Sequence, residues 1–297
     1  MKEIEKQKIL EAGKIASQVR QFAKTIIKKD VPLLEIAEKI EAKIIELKGK
    51  PAFPVNTSIN EIAAHYTPSH DDETKASGLL KIDFGVHVDG FVADTAMSFD
   101  LENSEENKKL IEASQESLNK ILKKIKPKIT TSEIGKTIQE TIESKGFIPI
   151  INLSGHSIEK YELHSGITIP NVIDSKNIEL EEGLYAIEPF ATLSSAGGKV
   201  NDGKPSGIYS FIQRKPVRSP NARKILDFIE KEYSTLPFCS RWIIKKFGAA
   251  SILALRELEN SGSLHHFNQL VESTKSKVSQ AEHTILIEKD KVTVTTI

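Results

Sequence analysis

The sequence predicts an α+β fold built from two related halves, with a helical insert in the second half. Amphipathic helical patterns occur in pairs, and strand patterns follow each pair. The second and fourth helices share a pattern at a constant offset of 98 residues, which reads Glu35-Ile36, Ile40 and Ile44 in one and Glu133-Ile134, Ile138 and Ile142 in the other. We interpret this repeat as a duplicated two-helix unit, with chance agreement of two ordinary helices as the alternative.

In the first half, apolar residues at steps of three and four predict a helix over residues 4–27. A second apolar stripe begins after Pro32, and Gly49 is its candidate C-cap. In the second half, Ser104 is the predicted N-cap of the third helix and Pro127 is expected to stop it. Thr130 and Glu133 form a capping box that starts the fourth helix.

Strand patterns are strongest over residues 79–99, which are rich in Val, Ile and Phe around Asp89-Gly90. Asp-Gly between two apolar runs predicts a two-residue hairpin turn. Residues 184–189 and 282–294 are further predicted strands, and the latter segment is expected to fold back near Lys289-Asp290. Residues 219–261 between them are helical in pattern. We therefore predict one domain over residues 1–297 with a helical insert at about residues 205–267.

Composition and charge exclude several classes of protein. Lys and Arg together number 41, as do Asp and Glu, so the formal net charge is zero, whereas a general nucleic-acid-binding protein is strongly basic. The single Cys239 excludes an intrachain disulfide and a multi-cysteine zinc site. No apolar run suits a membrane helix and the first residues carry no signal-peptide pattern, so we expect a cytoplasmic protein.

Two aspartates lie in the predicted hairpin, although Asp is disfavoured in strands. A two-residue turn places Asp94 opposite Gly85, with Asp83 as its diagonal neighbour on the same face at roughly 7 Å. Two carboxylates at that separation can hold a common cation. On the hairpin alone the alternative is equally supported, namely a solvated face with Lys81 and His87 as polar neighbours.

Three further candidate ligands occur later in the chain. Glu188 precedes Pro189 in an apolar strand pattern, Glu282 lies in another, and His156 lies in a glycine-containing turn. Alone, each glutamate is more often a salt-bridged strand residue than a metal ligand. Together, four carboxylates and one histidine form an oxygen-rich set that suits two divalent ions.

The sequence around these residues resembles the methionine aminopeptidases of type 2, which have the pita-bread fold. The matching strings are AFPVNTSINEIAAHYTP, LLKIDFGVHVDGFVADTAMSF, LSGHSIEKYELHSG, GLYAIEPFAT and QAEHTILI, and they span residues 51–287. The gap of 94 residues between Glu188 and Glu282 resembles that of type 2, whose helical insert falls there. About 80 residues precede Asp83, which resembles the short archaeal form.

The resemblance implies a dinuclear-metal hydrolase that removes the initiator methionine from nascent proteins and peptides when the second residue is small. Asp83 would chelate one ion, His156 and Glu188 would complete the other, and Asp94 and Glu282 would bridge both. A water or hydroxide between the ions would attack the scissile carbonyl, and Glu188 would shuttle its proton. The implied cofactors are two divalent ions, for which Co, Mn, Fe and Zn are all suitable.

The same resemblance assigns roles at the substrate. His164 would hydrogen-bond the developing oxyanion, and His65 would contact the scissile amide and the leaving nitrogen. Phe53 and Leu163, together with His164, would line the methionine pocket. The implied partners are the N-terminal Met of nascent polypeptides and the ribosome. We expect a monomer that binds neither a membrane nor nucleic acid directly.

Two other functions stay open at this stage. Prolidases and X-Pro aminopeptidases share the pita-bread fold but usually carry an additional N-terminal domain, whereas two helices and a short strand precede the site here. Non-catalytic binding proteins of the same fold have lost metal ligands. All five ligands and both auxiliary histidines are present in this chain.

Overall fold

The computed structural model describes residues 2–297, in which the chain forms seven helices and sixteen strands. The first half comprises Glu3–Ile26 (α1), Leu33–Glu46 (α2), Lys50–Pro51 (β1), Asn56–Ile59 (β2), Ile62–Ala64 (β3), Leu79–Val88 (β4) and Phe91–Asp100 (β5). The second half begins with Glu105–Lys124 (α3), Thr131–Ser144 (α4), Phe147–Pro149 (β6), Ser154–Ile158 (β7), Thr168–Pro170 (β8), Gly183–Ile187 (β9) and Phe190–Leu193 (β10).

The remainder of the chain contains the predicted insert and the last strands. Its elements are Val200–Phe211 (β11), Pro220–Tyr233 (α5), Phe238–Cys239 (β12), Ser240–Phe247 (α6), Ser251–Asn260 (α7), Leu264–Glu272 (β13), Val278–Gln280 (β14), His283–Ile287 (β15) and Val292–Val294 (β16). Within residues 2–297, no helix combines the length and the apolar character that crossing a membrane requires.

The predicted hairpin forms the centre of the first half. Strands β4 and β5 pair antiparallel around the Asp89-Gly90 turn, and Gly85 lies opposite Asp94, which confirms the predicted register. The apolar stripes of α1 and α2 pack on one face of this hairpin, where Val19, Ile40 and Phe84 are fully buried. The opposite face carries Asp83 and Asp94, the two candidate cation ligands of the hairpin.

Local capping follows the sequence at two of the three predicted caps. Ser104 Oγ accepts a hydrogen bond from Asn107 N, and the Thr130 and Glu133 capping box forms at the start of α4. The prediction of Gly49 as the C-cap is wrong, because α2 ends at Glu46 and the left-handed residue is Lys48, with φ 68°. Gly49 is required for space, since a Cβ there would lie 2.8 Å from a methyl carbon of Val86.

The second half repeats the arrangement of the first. Helices α3 and α4 pack against β9 and β15, which pair antiparallel in a five-stranded sheet. The predicted reversal near Lys289-Asp290 is confirmed, because residues 282–294 form two short strands, β15 and β16, that pair antiparallel. Each half is thus a helix pair packed on a strand pair, as the duplicated unit predicts.

The segment between the long strands β11 and β13 has a core of its own. Helices α5, α6 and α7 bury their apolar residues against one another and against β11, with Ile225, Phe238 and Leu258 fully enclosed. Strands β11 and β13 pair antiparallel, and β3 of the first half joins β13. The predicted insert boundaries at 205 and 267 fall inside these two strands.

The two halves meet along β5 and the start of β15. The backbone N–H of Glu282 donates to the carbonyl oxygen of Ala96 at 3.1 Å, and Thr95 Oγ1 donates to the carbonyl oxygen of Glu282 at 2.9 Å. These bonds bring Asp94 and Glu282 to the same place from positions far apart in the sequence.

Candidate metal centre

The five predicted metal ligands come together where the two halves meet. They are Asp83 on β4, Asp94 on β5, His156 on β7, Glu188 directly after β9 and Glu282 directly before β15. They form two groups whose ligand atoms all lie within 4.8 Å of one another, one of Asp94, His156 and Glu282 and one of Asp83, Glu188 and Glu282. Glu282 belongs to both groups, whereas Glu188 falls in the group of Asp83.

Unpartnered atoms in this cluster fit the donor set that divalent ions require. Asp83 Oδ1, Asp94 Oδ1, His156 Nδ1 and both carboxylate oxygens of Glu282 are buried and have no hydrogen-bond partner in the described part of the chain. Buried polar atoms are rarely left unpaired, because each unpaired atom costs free energy. Four carboxylates and one imidazole are ligands for hard or borderline divalent cations, so the cluster is compatible with a dinuclear metal site.

The electrostatics of the cluster also fit the binding of cations. Burial raises the pKa of Asp83 to about 7, and burial together with the neighbouring carboxylates raises the pKa of Asp94, Glu188 and Glu282 well above the ordinary range. Both causes disfavour the charged form, since buried like charges repel. Cations between the carboxylates would remove that repulsion.

The remaining predicted residues line the cavity above the cluster. Phe53, His65, Leu163 and His164 contribute to a cavity of about 340 Å³, whose base includes Asp83, Asp94, His156 and Glu188. Phe53 and Leu163 are almost entirely buried, whereas His164 is open to the cavity. The cavity is therefore apolar on one wall and carries imidazoles at the other.

The three histidines near the cluster are neutral at pH 7. Burial lowers the pKa of His65 to about 4 and that of His156 to about 3. Desolvation also lowers the pKa of His164. The rings of His156 and His164 lie edge to face with centroids 4.2 Å apart. A neutral imidazole is both a donor and an acceptor, as a metal ligand or a proton carrier requires.

The alternative of a solvated hairpin face is wrong. Lys81 is fully buried and its Nζ donates to the carbonyl oxygen of Asn60 at 2.7 Å, while only 5% of His87 is exposed. The opposite half covers this face of the hairpin, which sequence periodicity cannot reveal.

Gln280 is a residue of the site that the sequence reasoning missed. Its side-chain Nε2 donates to Asp83 Oδ2 at 3.2 Å and to Glu188 Oε1 at 2.7 Å. It therefore links two predicted ligands that lie on different halves of the molecule. No local pattern in the sequence distinguished it, because Gln280 ends β14 whereas Glu282 lies before β15, so the two residues do not share a strand.

Comparison with known proteins decides the family. The profile described as Metallopeptidase family M24 matches residues 7–287. The chain belongs to this family. It is 50% identical to a methionine aminopeptidase of Methanocaldococcus jannaschii over 293 residues, which cover 98% of both chains, and this similarity makes it a member of the methionine aminopeptidases within family M24.

Solved structures of low sequence identity share the fold of this M24 member. A thermophilic Arx1 superposes with a TM-score of 0.84 at 16% identity over 99% of this chain and 91% of the other. A methionine aminopeptidase of Thermotoga maritima superposes with a TM-score of 0.69 at 23% identity over 100% of this chain and 98% of the other. The expected pita-bread fold is confirmed, and the family is one of metalloexopeptidase hydrolases, which sets aside the non-catalytic alternative.

Proposed function

We propose that the protein removes the initiator methionine from nascent polypeptides and peptides whose second residue is small. The observation that carries this proposal is the convergence of five candidate ligands at the base of a cavity with one apolar wall. An exopeptidase of this kind needs a metal centre at the closed end and room for one side chain beside it. We propose that residues 1–297 act as one catalytic domain, with the insert at about 205–267 as part of it.

The proposed ligands divide between two ions. Asp83 would hold one ion, His156 would hold the other, and Asp94 and Glu282 would serve both. The family resemblance assigns Glu188 to the ion of His156, whereas its carboxylate lies in the group of Asp83 in this structure. When bound, two divalent cations supply Lewis-acid activation of a water and of the scissile carbonyl. Their identity among Co, Mn, Fe and Zn depends on availability as well as on the ligand set.

The side chains around the cluster handle protons and developing charge. Glu188 would accept the proton of the attacking water as a general base. His164, open to the cavity, donates to the developing oxyanion, and a preorganised donor of this type acts mainly on the transition state. His65 contacts the scissile amide and the leaving nitrogen. Both histidines are neutral donors at pH 7, in keeping with their lowered pKa values.

The substrate's first residue lies against Phe53 and Leu163, with His164 at the mouth of the pocket. A thioether chain is apolar and flexible, so burial and dispersion can hold it there. We further propose that the protein acts as a monomer in the cytoplasm, where nascent chains emerge, and that it docks at the ribosome.

The test uses metal-loaded protein and two peptides. We expect Met-Ala-Ser to lose its first residue and Ala-Pro to remain intact. Release of Ala from Ala-Pro without cleavage of Met-Ala-Ser would assign the chain to the X-Pro hydrolases instead. Elemental analysis of the same sample gives the number and the identity of the ions.

A further inference from the structure

A buried ion pair joins helix α6 of the insert to helix α2 of the first half. Arg241 Nη1 and Nη2 donate to Glu41 Oε2 and Oε1 at 2.7 and 2.8 Å, and Trp242 Nε1 donates to Glu41 Oε2 at 2.9 Å. Only 3% of the Arg241 side chain and 9% of the Glu41 side chain are exposed. Two parallel hydrogen bonds between charged groups fix direction as well as distance, so this pair is a rigid joint.

The same joint holds the two chain segments that carry cavity residues. Arg241 Nε donates to the carbonyl oxygen of Pro68 at 3.1 Å, and Thr67 Oγ1 donates to the carbonyl oxygen of Val55 at 2.9 Å. The backbone N–H of Val55 points to Glu41 Oε1 at 3.4 Å. Residues 67 and 68 directly follow His65 and Tyr66, so the joint clamps the chain just after a proposed catalytic histidine.

His65 has a backbone conformation that requires such support. Its φ is 62°, in the left-handed region that a residue with a side chain rarely adopts. Such a conformation costs free energy and persists only where the surrounding structure holds it in place. On its other side the His65 ring is held at 3.2 Å between Nδ1 and the carbonyl oxygen of Asn268.

We propose that Glu41 and Arg241 are positioning residues that hold His65 in its left-handed conformation, and with it the imidazole in the cavity. The insert thereby acts on the reaction through the chain segment 65–68. Loss of either charge leaves the other buried and unpaired. We therefore expect residues 65–68 to move away from the joint. The catalytic consequence rests on the proposed function of His65, whereas the conformational consequence does not.

A neighbouring ion pair supplies a matched control. Lys245 Nζ lies 3.5 Å from Glu38 Oε1, so this pair also joins α6 to α2, but its side chains are 75% and 43% exposed. Exposed ion pairs of this kind contribute little to the free energy of unfolding. Glu38→Gln therefore removes the same charge from the same helix without touching the segment after His65.

The experiment compares Glu41→Gln with Glu38→Gln in the metal-loaded full-length protein. We expect Glu41→Gln to lower kcat on Met-Ala-Ser by about 10²-fold, since displacement of a catalytic group by about 1 Å has effects of that size. Both variants should bind two ions with wild-type affinity, because none of the five candidate ligands lies in the clamped segments. Trp242 is the single tryptophan of the chain, so a shift of its emission in Glu41→Gln alone reports opening of the joint.

A crystal structure of Glu41→Gln gives the direct test. A φ of His65 outside the left-handed region supports the proposal, and a φ still near its wild-type value overturns it. Wild-type kcat in Glu41→Gln also overturns it, provided that His65→Ala measured in parallel is impaired. If His65→Ala is as active as wild type, the proposed role of His65 fails. The φ of His65 in the crystal structure then decides by itself whether the joint holds this segment.

Arg241→Lys keeps the positive charge but loses the two parallel hydrogen bonds, and it serves where Glu41→Gln does not fold. We expect the same shift of emission and a lower kcat, because a lysine cannot bind a carboxylate through two donors in a plane. Wild-type values of kcat and of emission in Arg241→Lys would overturn the proposal.

Discussion

The hydroxyl of Thr284 ties the backbone of Asp94 to the opposite half of the molecule. The N–H of Asp94 donates to Thr284 Oγ1 at 2.8 Å, and Thr284 Oγ1 donates to the carbonyl oxygen of Asp94, also at 2.8 Å. Thr284 is fully buried and lies two residues after Glu282. The two proposed bridging ligands therefore share one rigid backbone frame.

Replacement of this hydroxyl is expected to weaken the frame. Thr284→Val keeps the shape but leaves the buried N–H of Asp94 without its partner, which should lower the free energy of unfolding by about 2 kcal/mol. Urea denaturation of the metal-free protein measures it. Thr141→Val is the control, since that buried hydroxyl donates only to the carbonyl oxygen of Thr137 within α4. Equal midpoints for the two variants would contradict the prediction.

Glu282→Gln is expected to abolish turnover. A neutral amide cannot bridge two cations as a carboxylate does, so the variant should also bind fewer than two ions. Elemental analysis and peptide hydrolysis measure the two effects together. Glu288→Gln is the control, because Glu288 lies directly after β15 and its carboxylate pairs with Lys6. Full activity with two ions in Glu282→Gln would disprove the bridging role.

His65→Ala and His164→Ala are expected to retain both ions but to lose rate. Each variant removes a contact made in the transition state, which is typically worth about 10²- to 10³-fold in kcat. Steady-state kinetics and metal analysis separate rate from binding, and exposed His70→Ala serves as the control. A variant that folds but fails to bind metal would show that its histidine is a ligand.

The free energy of unfolding is expected to depend on pH through His87, whose side chain contacts the hairpin turn. Burial lowers the pKa of His87 to about 4, and its Nδ1 accepts a hydrogen bond from the N–H of Gly90 at 3.1 Å, which only the unprotonated nitrogen can do. The unfolded chain takes up this proton near pH 6.5, before the folded protein does. The stabilisation is complete above that pH and falls by about 3 kcal/mol as the pH decreases to 4.

His87→Gln removes the titration while keeping an acceptor for Gly90. The difference in unfolding free energy between wild type and His87→Gln should therefore change across pH 6.5 to 4 in favour of the variant. Denaturation at fixed pH values measures this difference. A difference that stays constant with pH would show that His87 does not contribute.

Substrate selection is expected to follow the apolar pocket wall of Phe53 and Leu163. Met-Gly and Met-Ala peptides should be cleaved, Leu-Ala slowly, and Lys-Ala and Met-Arg hardly at all. A buried unpaired charge is costly, whereas a small change in apolar shape is worth only about 1–3 kcal/mol. Comparison of kcat/KM across this panel tests it. Equal values for Lys-Ala and Met-Ala would indicate a general aminopeptidase without this pocket.

Much of the local structure follows from the sequence alone. The Asp89-Gly90 turn and the alternating pattern around it specify the register that sets Asp94 opposite Gly85. The Thr130 and Glu133 capping box marks the start of α4. These features depend on hydrogen bonds between residues a few positions apart, so neighbouring residue types are sufficient to predict them. Gly49 shows the limit, because its role is set by the distant Val86.

The site itself is only partly readable in this way. The strand patterns identified Asp83 and Asp94 as an unusual pair, because Asp is disfavoured in strands. Periodicity could not show whether their face of the hairpin is a metal site or is exposed to solvent. Family resemblance brought in His156, Glu188 and Glu282 as ligands. Gln280 and the clamp of Glu41 with Arg241 had no distinguishing local pattern.

What the sequence by itself determined is therefore the four helices of the two halves, the hairpin register and the candidate ligands. The tertiary structure alone decided that Glu282 reaches Asp94 across the two halves, that Lys81 is buried, and that Arg241 meets Glu41. The reason is physical. Contacts between residues separated by a hundred or more positions form only when whole apolar faces pack together, and no short stretch of sequence encodes which faces will meet.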